Sequence, residues 1–332
     1  RFLQRKILQK RTGAAFLAYE RRMVMLSLLA NSNLQWVLFS TMILGVAAGT
    51  IGCLAYWKKQ SLMSDSLAHA ALPGVVIAYM IIETKDLFLL IIGAAVSALI
   101  GAFFIQTIQS LTRITEDTAM GMILSVFFGL GIMLLTIVNR TAGGNQSGLD
   151  NFIFGQAAAM IRSDVFTMLL LACVVILIVV IGFKEWKIYL FDPDFAKGLG
   201  MSLPFMNGLY TVLLVTTVVI GIQAVGVILI AALMIIPAVS AHYWTHSFKV
   251  MILLSAIIGG VSGALGTYIS ALGSSWPTGP FIVVTAAVMF LISLVIGKER
   301  GLLIRYMQYK KQQRMYVQQR IPVQFKTREA EK

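Results

Sequence analysis

Asp65 and His69 stand four residues apart in SLMSDSLAHAALPG, an apolar stretch of a chain that otherwise keeps ionisable side chains out of its hydrophobic runs. On a helix, a spacing of four places both side chains on one face. One hard oxygen ligand and one imidazole nitrogen then converge, a mixed donor set suited to Mn²⁺, Zn²⁺ or Fe²⁺. A carboxylate in hydrocarbon costs roughly 2.5–3.5 kcal/mol on insertion scales, so it persists beside a partner, an ion or a water-filled path. Two readings follow: a metal or ion route, and a plain intramembrane pair in which Asp65 holds His69. Pro73 lies four residues after His69 and has no N–H, so in a helix the His69 carbonyl loses its bond and the chain bends there. Such a break is tolerated at membrane depth where it faces protein or water. Gly74 beside it leaves room for another backbone or a hydrated ion. These features favour the ion route. Pro237 in MIIPAVSA frees the Leu233 carbonyl in the same way and marks a second candidate helix break near the pore.

The elements that must hold this pair are membrane helices. Of the 332 residues, 58% are hydrophobic and only 12% charged, a balance that describes an all-α, polytopic transmembrane bundle. The net charge of +13 raises the question of nucleic acid. Lys and Arg, however, collect at the two ends and in short loops, as the positive-inside pattern requires, with no basic stripe interleaved with aromatic residues. Cys53 and Cys173 lie in apolar segments without CxxC spacing and read as small hydrophobes. The apolar runs predict about nine spans of bilayer length. They fall at Leu34–Trp57, Leu62–Ile82, Leu87–Gln109, Ala119–Val138, Val165–Phe183, Met206–Ile222, Ala224–Tyr243, Val250–Ala271 and Phe281–Ile296. The division near Gly221–Gln223 cuts a single long apolar run. Residues 1–33 form an amphipathic basic arm, 34–297 the transmembrane permease domain and 298–332 a basic cytoplasmic tail. Placing that tail inside puts Lys58, Lys59, Arg113, Lys184, Lys187 and Lys197 inside as well and the arm outside.

Small residues recur in these spans. Gly45 and Gly49 are spaced GxxxG, and Gly259, Gly260, Gly263 and Gly266 crowd one later helix, spacing that lets helices approach closely. The one substantial polar segment between spans is FKEWKIYLFDPDFAKGLGM, Phe183 to Met201. Asp192 can cap a short helix begun by Pro193, Asp194 sits at its positive end, and the Gly198–Gly200 region can end it. Such a helix, held out from the membrane, suits docking of a soluble partner; an ordinary solvated loop is the alternative.

The catalytic inventory is empty. No GxxxxGK[ST], no HExxH and no Ser-His-Asp arrangement occurs, so energy must come from another polypeptide. His242 and His246 in HYWTH could share a helical face as a metal pair, but they sit at the cytoplasmic end of a span beside Tyr243 and Trp244, which fits an interfacial role better.

Six colinear blocks carry a family resemblance: SLMSDSLAHAALPG, ITEDTAMGMI, LDNFIFGQ, FDPDFAKGLGM, QAVGVILIAALMIIPAVSA and PTGPFIVVTAAVMFL. Over about Trp36 to Gly297 the chain resembles the permeases of bacterial manganese, zinc and iron ABC importers, whose fold is similar to that of vitamin B12-type importer permeases. The resemblance implies a multi-pass protein of the bacterial cytoplasmic membrane that is not itself an enzyme. Its implied partners are a second permease subunit, identical or not, a dimer of cytoplasmic ABC ATPases and an extracellular metal-binding lipoprotein. It further implies that Asp65 and His69 bind the ion in transit. Asp192, Pro193, Asp194, Ala196 and Gly200 would couple to the ATPase. The transported divalent metal is the only ligand implied, with no permanently bound cofactor. The QAVGVILIAALMIIPA block and the basic tail point to manganese, with zinc or iron as alternatives. The alternative is a self-contained secondary transporter or channel, against which stand the docking segment and, for proton coupling, the want of further carboxylates in the apolar runs. An intramembrane metal-dependent hydrolase using Asp65 and His69 is a weaker alternative still.

Overall fold

A computed structural model describes residues 32–82, 87–141, 155, 160, 162–273 and 276–312. Residues 1–31 of the N-terminal arm, most of LDNFIFGQ and the last twenty residues, 313–332, lie outside the described residues. Apolar runs without water for their backbone must satisfy every N–H and C=O internally, and among the described residues all regular structure is helical. The helices are α1 (Ser32–Trp57), α2 (Met63–Ile82), α3 (Leu87–Leu111), α4 (Glu116–Thr141), α5 (Arg162–Ile181) and α6 (Phe183–Phe191). They continue as α7 (Pro193–Gly198), α8 (Leu203–Val225), α9 (Val227–His242), α10 (Phe248–Ala271) and α11 (Thr278–Ile296). A last helix, α12, covers residues 302–312.

Eight of these, α1 to α5 with α8, α10 and α11, are long and apolar enough to cross a membrane. The ninth, α9, has 16 residues, so it reaches about 24 Å against a hydrocarbon core of about 30 Å. Several helices begin before their apolar runs do. Glu116 and Asp117 open α4 and Asp164 sits in the first turn of α5, where carboxylates meet the positive end of the helix dipole. Ser202 caps α8 by accepting from the Phe205 N–H at 3.4 Å.

The break in the long apolar run falls at Gly226, a few residues beyond the expected Gly221–Gln223. Gly226 has φ 98°, ψ 159°, a conformation reserved for glycine. It ends α8 by donating to Ile222 O at 2.8 Å. Gly221 instead lies within α8, where a Cβ would come 2.0 Å from Cδ1 of Ile230, so its role is to let α9 fold back against α8. Neither expected break at a proline ends its helix, since α2 runs on through Pro73 and α9 through Pro237.

Without a hydrophobic drive between helices in lipid, close contact and polar side chains hold them together. The α1–α10 seam is antiparallel. Backbone meets backbone where Gly45 faces Gly259, Gly49 faces Ser255 and Gly263 faces Thr41. Ser255 Oγ donates to Gly49 O at 2.7 Å, and Thr267 Oγ1 donates to Thr41 Oγ1 at 2.9 Å. The helix that carries Asp65 and His69 is fixed from two sides. Gly74 of α2 closes on Gly93 of α3, Ser97 Oγ of α3 donates to Ala70 O at 2.7 Å, and Ser66 Oγ of α2 donates to Met120 O of α4 at 3.2 Å.

Candidate functional site

Asp65 lies in the first turn of α2 and His69 one turn on. The two side chains converge as their spacing requires, with His69 Nε2 3.7 Å from Asp65 Oδ1. That gap is longer than a good hydrogen bond, and it leaves both atoms able to turn toward a shared ion. The His69 side chain is 14% exposed and that of Asp65 35%, so the pair opens to one side of the chain. His69 Nδ1 is buried and has no hydrogen-bond partner among the described residues. An edge contact with Phe128 of α4, ring centroids 4.8 Å apart, sets the imidazole plane. Among the described residues no third His, Cys, Asp or Glu gathers with the pair. A metal held by these two donors would keep further coordination positions open. Phe128 carries no motif, and the sequence offered no signal for its contact, because the rotation of α4 against α2 is set by packing.

The polar segment after α5 forms the structure its residues foretell. Asp192 Oδ1 accepts from the Phe195 N–H at 3.0 Å, and Pro193 opens α7 at the position where its missing N–H is harmless. Gly200, at φ 80°, ends it: Gly200 N–H donates to Lys197 O at 2.9 Å and Met201 N–H to Ala196 O at 3.0 Å, the paired bonds of a Schellman stop. Asp192, Pro193, Asp194 and Gly200 are exposed, whereas Ala196 is fully enclosed and seats the helix on the bundle. Beside them Phe195 and Leu199 expose 55% and 56% of their surface. Composition hid this pair of apolar knobs, since neither carries charge or cap chemistry.

The short helix is tied to α1 through α6. Trp57 stacks at a tilt on Phe191 with centroids 4.8 Å apart and donates from Nε1 to Met251 sulfur at 3.1 Å. Lys58 donates to Asn207 Oδ1, and its amine lies 5.6 Å from the Tyr189 ring centroid and 4.2 Å from that of Tyr210. Gln60 donates to Glu116 of α4. His242 and His246 do not share a helical face, because α9 ends at His242. His242 packs against Tyr56 at 5.0 Å, and His246 pairs with Glu299 at 3.4 Å.

Residues 30–297 match the ABC 3 transport family. The chain is 46% identical over 274 residues to the manganese transport system membrane protein MntC of Bacillus subtilis, covering 82% of this chain and 63% of that one, so it spans under two thirds of that relative's length. It is 40% identical to the zinc transport system membrane protein TroC of Treponema pallidum, covering 84% of this chain and 94% of that protein. The solved structure of PsaBC from Streptococcus pneumoniae in complex with Fab superposes with a TM-score of 0.75 at 34% identity, over 87% of this chain and 99% of that one. An inward-facing metal-chelate type ABC transporter shares the fold alone, with a TM-score of 0.61 at 14% identity. With its helices long and apolar enough for a bilayer and its matched span running from before α1 to the end of α11, the chain is a multi-pass membrane protein and belongs to the ABC 3 transport family.

Proposed function

We propose that this chain is the permease subunit of an ABC importer that carries a divalent transition metal, manganese foremost, across the bacterial cytoplasmic membrane. The observation that carries the reading is the Asp65–His69 pair, two metal-ligating side chains on one face of a span. The orphaned imidazole nitrogen beside them suits a site completed from outside the chain. Their role is to replace water around the ion in transit. Manganese is favoured over zinc because the first of the relatives above is a manganese system protein, although imidazole with carboxylate serves both metals. Uptake of radioactive Mn²⁺ and Zn²⁺ into cells carrying the complete transporter, with each metal competing against the other, tests it. Manganese uptake unaffected by loss of this chain would overturn the assignment.

Energy enters through α7. Its capped, exposed helix with Phe195 and Leu199 outward suits a cleft of a separate cytoplasmic ATPase, and on this reading that end of the bundle faces the cytoplasm. Delivery by an extracellular metal-binding lipoprotein and pairing with a second permease complete the assembly. Asp192→Ala removes a cap at about 1 kcal/mol, and Gly200→Ala puts a Cβ on a left-handed residue at roughly 1–2 kcal/mol. Both substitutions should loosen α7, lower the ATPase recovered with the permease and reduce transport per ATP hydrolysed. Metal binding should persist. Unchanged recovery together with unchanged uptake would remove α7 from coupling.

Pro73→Ala should lower the maximal uptake rate although Asp65 and His69 remain. The alanine N–H restores a hydrogen-bond donor to the His69 carbonyl and redraws the turn that aims the imidazole. Uptake measured over a range of metal concentrations checks this, and an unchanged maximal rate and half-saturation would leave Pro73 a packing residue.

A further inference from the structure

The end of the bundle that carries α6 and α7 also holds an open cavity of ≈ 870 Å³ between the ends of α1 and α3 and the start of α8, with Pro193 among its lining. Its wall divides by chemistry. Lys58, Lys59, Gln106 and Gln109 bring N–H donors, and among the described lining residues none is acidic. Trp57, Phe103, Leu190 and Leu203 supply the apolar part. The bond to Asn207 and the ring of Tyr210 fix the Lys58 amine in place. Burial pushes Lys58 down to about 8 while Glu116 pulls it back up, which leaves the amine mostly charged at neutral pH. Gln109 Nε2 is buried and finds no acceptor among the described residues.

Lys59 supplies an independent observation. Past the end of α1, Lys59 N–H donates to Tyr56 O at 3.1 Å and Gln60 N–H to Ala55 O at 2.9 Å, another Schellman stop. Its left-handed position is the one where glycine ordinarily stands. Here it is filled by lysine at φ 60°, the single non-glycine residue with positive φ among those described. The turn accepts strain, and in that geometry two consecutive lysines line one cavity.

A ligand that fits is anionic at one end, apolar at the other, and available at the membrane boundary where α1 and α3 end. We propose that this cavity binds an anionic phospholipid of the cytoplasmic leaflet. The headgroup phosphate lies on Lys58, Lys59 and Gln109, and the acyl chain lies against Phe103 and Leu203. Basic pockets between membrane helices on the cytoplasmic side take such headgroups. The choice of leaflet rests on the placement of α7 given above. Because Pro193 belongs to the same wall, the lipid would brace α7.

The full chain, purified in its assembled complex from nanodiscs of equal parts phosphatidylglycerol and phosphatidylcholine, is assayed for retained lipid by native mass spectrometry. Phosphatidylglycerol should be enriched, and the enrichment should fall about fivefold for each lysine removed in Lys58→Gln and Lys59→Gln. Lys59→Gly is the stringent variant, because it relaxes the backbone while deleting the charge, so its loss of lipid cannot be laid to misfolding. Lys184→Gln with Lys187→Gln, exposed on α6, removes equal charge elsewhere and should leave retention unchanged. Equal enrichment in the Lys59→Gly protein and the unaltered one would overturn the proposal. So would inorganic phosphate displacing the lipid, which would mark a soluble anion, or enrichment seen only in permease stripped of its ATPase, which would mark a protein side chain as the occupant. Retention is read without transport, so it can fail while metal uptake stands, and the reverse.

Discussion

Asp65→Ala or His69→Ala should stop metal uptake while the protein remains folded and inserted. Partners that merely orient a ligand change metal affinity by 10–100-fold, so loss of one of the two ligands this chain offers should cost at least about a hundredfold. Folding should be spared. The 3.7 Å separation is no strong bond, and His69 Nδ1 holds nothing among the described residues, so neither side chain anchors a network whose loss would unfold the helix. Asp65→Asn keeps an oxygen at the same place and should lose less than Asp65→Ala. The measurement is initial uptake of a labelled divalent metal, normalised to the amount of permease in the membrane. Near-normal rates in both alanine variants would end the case for this pair as the transit site.

The largest effect on stability is expected at the α1–α10 seam. A Cβ on Gly45 would lie 2.1 Å from Gly259 O, and one on Gly259 would lie 2.1 Å from Gly45 O. These are backbone atoms that cannot turn aside. Gly45→Ala or Gly259→Ala must therefore push two helices apart, breaking contacts along the seam and stretching the Thr267–Thr41 and Ser255–Gly49 hydrogen bonds. Overpacking of this kind costs about 1–3 kcal/mol, and the lost interhelical bonds add roughly 0.6 kcal/mol each. Detergent-solubilised Gly45→Ala should aggregate at a clearly lower temperature than the unaltered protein, and less of it should accumulate in the membrane. Gly129→Ala on α4, where nothing lies within 4 Å of the added carbon, is the control. Equal melting of the Gly45 and Gly129 variants would show that the seam yields freely.

Much of this architecture was legible because the signals were local. Hydropathy found every long helix, and Asp192, Pro193 and Gly200 wrote out the beginning and end of α7 one position at a time. Hydropathy also placed helix starts too late wherever a charged first turn preceded the apolar run, as with Glu116 in α4. It puts the turn near Gly221–Gln223 and not at Gly226, where it lies, because, in so apolar a run, Gly221 and Gly226 look alike in sequence and Gln223 draws the division toward itself. The backbone at Gly226, with φ 98°, and the packing of Ile230 on Gly221 tell them apart. In the candidate site, the Asp65–His69 convergence follows from helical periodicity alone. The Phe128 contact, the outward Phe195 and Leu199, and the cavity around Lys58 depend on how helices rotate against one another, which no single segment encodes. Ala196 shows the same limit from the other side: its place in the loop was legible, its inward direction was not.

The short connection from α1 to α2 sets how motion can travel. Between Trp57, which rests on Phe191 of α6, and Met63 at the start of α2, the chain is folded on itself. Gln60 N–H is tied back to Ala55 O at 2.9 Å and Met63 N–H to Gln60 O at 3.1 Å. Extended, those residues could reach about 3.3–3.6 Å apiece; held in this hydrogen-bonded turn they are stiff. A floppy tether absorbs displacement, whereas a stiff one delivers it. A tilt of α6 that moves Trp57 should therefore carry the turn of α2 that holds Asp65 with it, and His69 one turn on.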